Sequence, residues 1–184
     1  MTNVVAEFLP LAERSIQLEP RDAKGHCALG VAHLILRNFD KAGLHYEAGL
    51  RANPNDDLLL IEHGRYLMYV DRPEDGLGRV AEAMRINPYR PNSYWNIQGR
   101  CLHMLGRKNE ALEAFQRVHA PTFWVQASIA ACHGALGNRQ AAAVARKERF
   151  RLRPDFDLAT FFRIFPYKNE ATFLQFIEEM GLGM

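Results

Sequence analysis

The stretch Trp95 to Phe115, WNIQGRCLHMLGRKNEALEAF, decides the fold. Trp95, Gly99 and Leu102 share one face of a helix, and Ala111 and Phe115 share one face of a second helix beyond the turn Leu105-Gly106-Arg107. A small residue such as Gly99 lets the two helices of a unit approach closely, and large ones such as Trp95, Tyr46 and Phe115 are expected to fill the space between units. Working outward, the same phase recurs on both sides. On the N-terminal side it appears as His26, Leu29, Gly30, His33, Ala42, Tyr46 and Pro54, then as Leu60, His63, Gly64, Leu67, Gly76, Val80, Ala83 and Pro88. On the C-terminal side Ile129, Ala130, His133, Ala142 and Pro154 keep the phase, with Gln126 and Arg146 where large apolar residues are usual, so that unit reads as a divergent terminal one.

Prolines 20, 54, 88, 121 and 154 recur every 33 or 34 residues, which marks a stack of two-helix units, none able to bury its apolar face alone. Each proline follows a helix-terminal segment, because the residue before proline is pushed out of helical geometry. Asp40 and Asp71 are expected to cap the second helices of their units. The spacing predicts an all-α, right-handed superhelix of antiparallel helix pairs. Residues 1–22 form the second helix of an incomplete leading unit, followed by full units at 23–56, 57–91, 92–122 and 123–154. Residues 155–184, with an aromatic-rich run at Phe156, Leu158, Phe161, Phe162, Ile164 and Phe165 and a final helix near 169–180, are expected to cap the open end of the stack; the alternative is a partner-binding or self-docking tail. A start in mid-unit leads us to expect a fragment of something longer.

A chain of 184 residues with 48% hydrophobic composition can bury a substantial core, and its net charge of +2 is far from the strongly basic balance of a phosphate-neutralising protein. Cys27, Cys101 and Cys132 are odd in number, widely spaced and free of CxxC arrangements, which predicts a reducing, cytoplasmic setting without a disulfide framework or structural zinc. There is no basic stretch leading into an apolar core at the N-terminus, and no apolar stretch approaches the roughly 20 residues a membrane helix requires. A soluble chain is expected.

The third unit resembles the tetratricopeptide pattern W-x2-L-G-x2-Y…A-x3-F, with Gln98 and Leu102 replacing the usual Leu and Tyr. Four segments are more specifically similar to the C-terminal repeat regions of bacterial class III adenylate/guanylate cyclases: LAERSIQLEP (11–20), NPND (53–56), LRPDF (152–156) and FPYKNEATFLQFIEEMGL (165–182). That likeness implies a catalytic or sensory domain N-terminal to these repeats, with the repeats as its regulatory or assembly arm. Cyclase chemistry itself needs metal-binding aspartates on a strand-rich fold and is not expected here. Similar repeats also follow winged-helix DNA-binding domains in bacterial regulators, which is the alternative context; a nucleic-acid-binding helical repeat is another.

In similar repeats the first helix of each unit lines a concave peptide groove. The aligned positions are Lys24, Cys27, Val31, Arg65, Met68, Tyr69, Asn96, Arg100, His103 and Trp124. Arg65 and Arg100 fall at equivalent positions of adjacent units, a pair suited to gripping a carboxylate or acidic peptide, with Tyr69 and Trp124 as apolar contacts. The competing expectation is that both arginines pair with neighbouring carboxylates or face water. The carboxylate clamp of chaperone-binding repeats needs Lys and Asn where this chain has Cys27 and Val31, so chaperone tails are not expected ligands.

His26 and His33 lie about 10 Å apart along a helix axis, too far to share an ion easily, and the repeat phase places both with His63 and His133 at packing positions, so no metal is expected. Gly76 to Ala81 fits G-x-G-x-x-A only superficially, because that fingerprint needs a preceding strand. Arg139, Arg146, Lys147, Arg149, Arg151 and Arg153 make one helix basic, which reads as a solvated outer face whose late cations favour the helix dipole. No nucleophile, base and orienting group assemble, so catalysis and a cofactor are not expected. The expected partner is a protein or peptide, with self-association a further option; nucleic acid and membrane are not expected partners.

Overall fold

The structure, a computed structural model, describes residues 2–154 and 164–179. Among these residues there are ten α-helices and no strand. Helix α1 (Thr2–Leu18) precedes four pairs: α2 (Ala23–Ile35) with α3 (Phe39–Ala52), α4 (Asp57–Tyr69) with α5 (Pro73–Ile86), α6 (Asn92–Met104) with α7 (Lys108–Gln116), and α8 (Phe123–Ala135) with α9 (Arg139–Leu152). Helix α10 (Glu170–Glu179) closes the described chain. The most extensive packing is within each pair, while α2, α4, α6 and α8 also touch one another in sequence and form an inner layer. This is the superhelix of helix pairs that the repeat phase predicts.

Close approach within the pairs explains the small residues. A Cβ on Gly30 would sit 2.7 Å from the Tyr46 ring, and one on Gly99 would sit 2.5 Å from the Phe115 ring. Tyr46 and Phe115 therefore fill space inside their own units, where the sequence suggested a role between units. Tyr46 also reaches the next unit, with ring centroids 5.7 Å from His63 and 5.5 Å from Tyr66. Fully buried side chains at these positions each contribute on the order of 1.5–3 kcal/mol from removing apolar surface from water.

The prolines act as helix punctuation. Helices α1, α3, α5 and α9 end at Leu18, Ala52, Ile86 and Leu152, each two residues before a proline. The intervening Asn53, Asn87 and Arg153 turn away from helical geometry, with φ of −141°, −106° and −152°. Helix α7 stops earlier, at Gln116, which shortens the third unit. The caps differ from expectation. Asp40 and Asp71 do not cap these helices: the N-cap residues of α3 and α5 are Asn38 and Arg72, and neither of these uses its side chain. The capping carboxylates are Asp22, which accepts from the Lys24 N–H at 3.0 Å, and Asp56, which accepts from the Leu59 N–H at 3.0 Å, both on inner-layer helices.

The turn inside each unit passes through a left-handed residue at the same repeat position: Arg37 (φ 59°), Asp71 (59°), Gly106 (74°) and Gly137 (76°). Glycine adopts this conformation freely, whereas a residue with a Cβ spends about 1 kcal/mol or more on it.

Residues 165–179 pack along the inner layer, with the final helix against α8. Buried Tyr167, Phe173, Phe176 and Ile177 join the main core with Tyr69, Ile97, Cys101, Ala127 and Ala131 of the inner layer. Among the described residues, a recess of about 830 Å³ lies between α8 and α9, beside Val144. The aromatic run Phe156 to Phe162 lies outside the described residues.

Candidate functional site

The inner layer divides into two halves. In the N-terminal half Lys24, Cys27 and Ala28 of α2 line a recess of about 600 Å³, closed on its other side by Asn53, Asn55 and Asp56 to Leu58. Arg65 of α4 stands beside this half, pairs with Glu62 at 3.1 Å and keeps 35% of its side-chain surface exposed. Val31 of the same face is half-buried. Burial and the carboxylates of Glu62 and Asp56 push the Cys27 thiol up to about 12, so it stays protonated.

In the other half the face is occupied by the chain itself. The turn Phe165-Pro166-Tyr167 and helix α10 lie along it, and three hydrogen bonds hold the turn through main-chain groups. The Arg37 guanidinium donates to the carbonyls of Tyr167 at 3.0 Å and Phe165 at 3.3 Å. The Lys168 N–H donates to the Tyr69 carbonyl at 2.8 Å.

Arg100 sits beneath this segment, only 7% exposed. It donates to the hydroxyls of Tyr69 at 3.2 Å and Tyr167 at 3.0 Å. Its guanidinium carbon lies 5.1 Å from the ring centroid of Tyr69, 5.2 Å from Phe165, 5.8 Å from Tyr167 and 5.9 Å from Phe176. Burial opposes the charge on Arg100, and the two tyrosyl oxygens more than offset that, so its pKa lies above the ordinary guanidinium value. Trp124 packs edge-on against Phe165 with centroids 4.5 Å apart. Asn96 and Trp124 line a residual cavity of about 40 Å³ with Arg100, Ser128, Phe165 and Phe176.

The segment is clasped at its end. Glu179 accepts from His103 Nε2 at 2.5 Å and from Lys108 Nζ at 2.9 Å. The His103 hydrogen bond, followed by that from Lys108, holds the Glu179 carboxyl down at about 2 against the opposing effect of burial. Burial lowers the pKa of His103 in spite of Glu179. The ring is therefore neutral near pH 7, with its Nε2–H donated to the carboxylate.

Of the residues proposed from sequence, Tyr69, Asn96, Arg100, His103 and Trp124 come together under the C-terminal segment, with Met68 fully buried in the same core, while Lys24 and Arg65 stay in the uncovered half. Arg65 and Arg100 do not form one clamp. Arg37, Lys108, Cys132, Tyr167, Phe176 and Glu179 were not foreseen as site residues; the sequence signals for the last three were the Phe-Pro-Tyr turn and the apolar spacing of the final helix.

Cys132, His103 and Glu179 resemble a nucleophile, base and orienting acid, since His103 Nδ1 is 3.2 Å from Cys132 Sγ. Burial defeats that reading: Cys132 is 0% exposed and burial pushes its thiol up to about 12, so the thiol donates to the ring and the thiolate is disfavoured. Among the described residues no group of three or more His, Cys, Asp or Glu is placed to hold a metal ion. His26 Nδ1 and His45 Nδ1 lie 3.1 Å apart, with His26 Nε2 against the Pro20 carbonyl, and His33 stacks on His45 at 5.4 Å.

Helix α9 is not a uniformly solvated basic face. Arg149 is 2% exposed beside the Phe150 ring at 3.8 Å, and burial lowers its pKa. Arg151 pairs with Glu148 at 2.7 Å, and Arg153 lies over Phe123 at 5.6 Å. No helix among the described residues is long and apolar enough to cross a membrane.

A stack of helix pairs that holds a polypeptide segment on its inner layer defines a helical-repeat binding scaffold. The chain belongs to the tetratricopeptide repeat family, whose model matches residues 7–57 and 61–122, more than half of its length. No curated protein matches the chain. Solved structures similar to it include PilW, a widely conserved type IV pilus biogenesis factor, with TM-score 0.71, 16% identity, and 99% of this chain and 85% of that one covered. TTC0263, a thermophilic TPR protein of Thermus thermophilus, has TM-score 0.68 and 16% identity over 97% of this chain and 91% of that one. YrrB, a TPR protein with an unusual peptide-binding site, has TM-score 0.66 and 21% identity over 87% and 84%.

Proposed function

We propose that the chain binds proteins or peptides on its inner layer, as an assembly or regulatory scaffold without chemistry of its own. The observation that carries this reading is the set of three main-chain contacts from Arg37 and the Tyr69 carbonyl to residues 165–168. Contacts to backbone carbonyls and N–H groups admit an extended segment of varied sequence, and side-chain pockets then select among them. The N-terminal half, with Lys24 and Arg65, supplies the uncovered part of that surface. The likeness to YrrB, a TPR protein with an unusual peptide-binding site, supports the same mode of action.

A displayed random-peptide library selected on the full chain tests this. Enrichment on the wild type that is lost on the Lys24→Glu/Arg65→Glu variant is expected; equal enrichment on both, or none on the wild type, overturns the inner-layer assignment.

The larger context we propose is the C-terminal arm of a bacterial signalling protein such as a class III cyclase, acting in the cytoplasm. That reading rests on the four short segments, and the cytoplasmic setting rests on the free thiols of Cys27, Cys101 and Cys132. The open reading frame upstream of Met1 tests it directly: a cyclase domain there supports it, and a winged-helix domain replaces it with the alternative.

A further inference from the structure

We propose that residues 165–179 are a tethered occupant of the C-terminal half of the groove. A partner segment of matching chemistry displaces them: an aromatic-proline-aromatic turn leading into an amphipathic helix that ends on a carboxylate. The inference rests on the inner layer being the binding surface, and it names what that surface selects and how it is regulated.

Each element of the selected segment has a receptor on the stack. The turn is held through its carbonyls by Arg37, from the end of the first unit's inner helix. The second aromatic ring is placed by its hydroxyl on Arg100 and stands edge-on to Tyr69, with centroids 5.0 Å apart. The helix buries Phe173, Phe176 and Ile177 and leaves Leu174 and Gln175 outward, so its selected face is the i, i+3, i+4 face. The terminal carboxylate meets Lys108 and His103.

The receptor groups belong to the stack and the docked groups to the C-terminal segment, so the two can part without breaking a helix pair. An open recess of about 390 Å³ already runs between α10 and the turns of the second and third units, lined by Asp71, His103, Lys108, Thr172 and Glu179 among others.

Arg37 adds an independent observation. It holds a left-handed conformation that glycine holds at the same repeat position in units three and four. A side chain that could be glycine is kept where its guanidinium reaches the segment.

Tethering makes the occupant a strong competitor. Attachment within one chain gives an effective concentration on the order of 1 mM. For a free segment that binds at about 10 μM, the groove is then open about 1% of the time, and the apparent affinity for a partner falls about 100-fold.

The probe is a synthetic peptide of residues 164–179, titrated into the full chain by fluorescence anisotropy. The expected result is binding to a Tyr167→Ser/Phe176→Ser chain, altered only in the segment, about 100-fold tighter than to the wild type. Glu179→Arg, which reverses the clasp from a partly exposed position, is a second release variant if the first loses its helical circular dichroism; a smaller gain of about 10-fold is expected from it. Adding Arg100→Leu to a released variant should abolish the gain. Equal affinity for wild-type and released chains overturns the tethered-occupant proposal and leaves the binding-surface reading intact. Failure of the peptide to bind any folded released variant overturns the assigned selectivity, and the random-peptide selection then decides separately whether the surface binds peptides at all.

Discussion

Arg65 and Arg100 occupy the same position of adjacent repeats and meet opposite fates. Arg65 lies in the uncovered half of the inner layer, 35% exposed, and pairs with Glu62 one helical turn away. Arg100 lies in the covered half between two tyrosyl hydroxyls and four aromatic rings. Repeat register fixes where a side chain points, but what is laid across it decides whether it is a surface charge or a buried anchor.

The sharpest way to break this comparison is to make the same substitution twice. Arg100→Ala leaves two buried phenol groups without their cation and should destabilise the chain by about 3–5 kcal/mol in urea unfolding. Arg65→Ala should change stability by less than about 1 kcal/mol. Similar losses at both positions would mean that the covering segment does not distinguish them.

Acid should weaken the uncovered half by a route of its own. Burial, with the nearby Arg79 and Arg72, lowers the pKa of His63 from 6.5 to about 4 in the folded chain. A depressed histidine pKa means the fold favours the neutral ring. Its contribution is therefore fully present above pH 6.5 and is lost as pH falls from 6.5 to 4, on the order of 3 kcal/mol in total. Unfolding midpoints followed across that window should flatten in a His63→Phe variant, whose ring can still stack between Tyr46 and Tyr66; an unchanged slope would remove His63 as the cause. In the covered half the Glu179 carboxylate acts in a lower window. Its depressed pKa gives stability above about 4.5 that is lost towards pH 2, so α10 should loosen there in wild type and be indifferent over that range in Glu179→Gln.

The smallest expected effect comes from Arg37→Gly. Relief of the left-handed backbone offsets lost contacts, so the stack should melt within a few degrees of wild type. The amides of α10 should nevertheless exchange about 10-fold faster with solvent.

The fold was legible because its cause is local. Gly30 against Tyr46 and Gly99 against Phe115 lie 16 residues apart within one helix pair, and helix ends before proline need only their immediate neighbours. The candidate site was half legible. Repeat register brought Tyr69, Asn96, Arg100, His103 and Trp124 to one face, yet nothing in it separated Arg100 from Arg65. The cover is built from contacts such as His103 with Glu179, 76 residues apart and outside any repeat, which periodicity does not encode. The caps were misplaced because Asp22 and Asp56 precede the inner helices, while the outer helices begin one or two residues from the aspartates that seemed to fit.

The Arg37 contact with Tyr167 spans 130 residues, and this gives the groove a history as well as a shape. Stacked repeats depend mainly on their neighbours, so the N-terminal units can assemble as they leave the ribosome, at roughly 5–20 residues per second. The contact between Arg37 and its occupant must wait until residues 165–167 have been made. If residues 165–179 are a tethered occupant, the binding surface stands empty for some seconds before they are made, and a partner present at that moment meets no competitor.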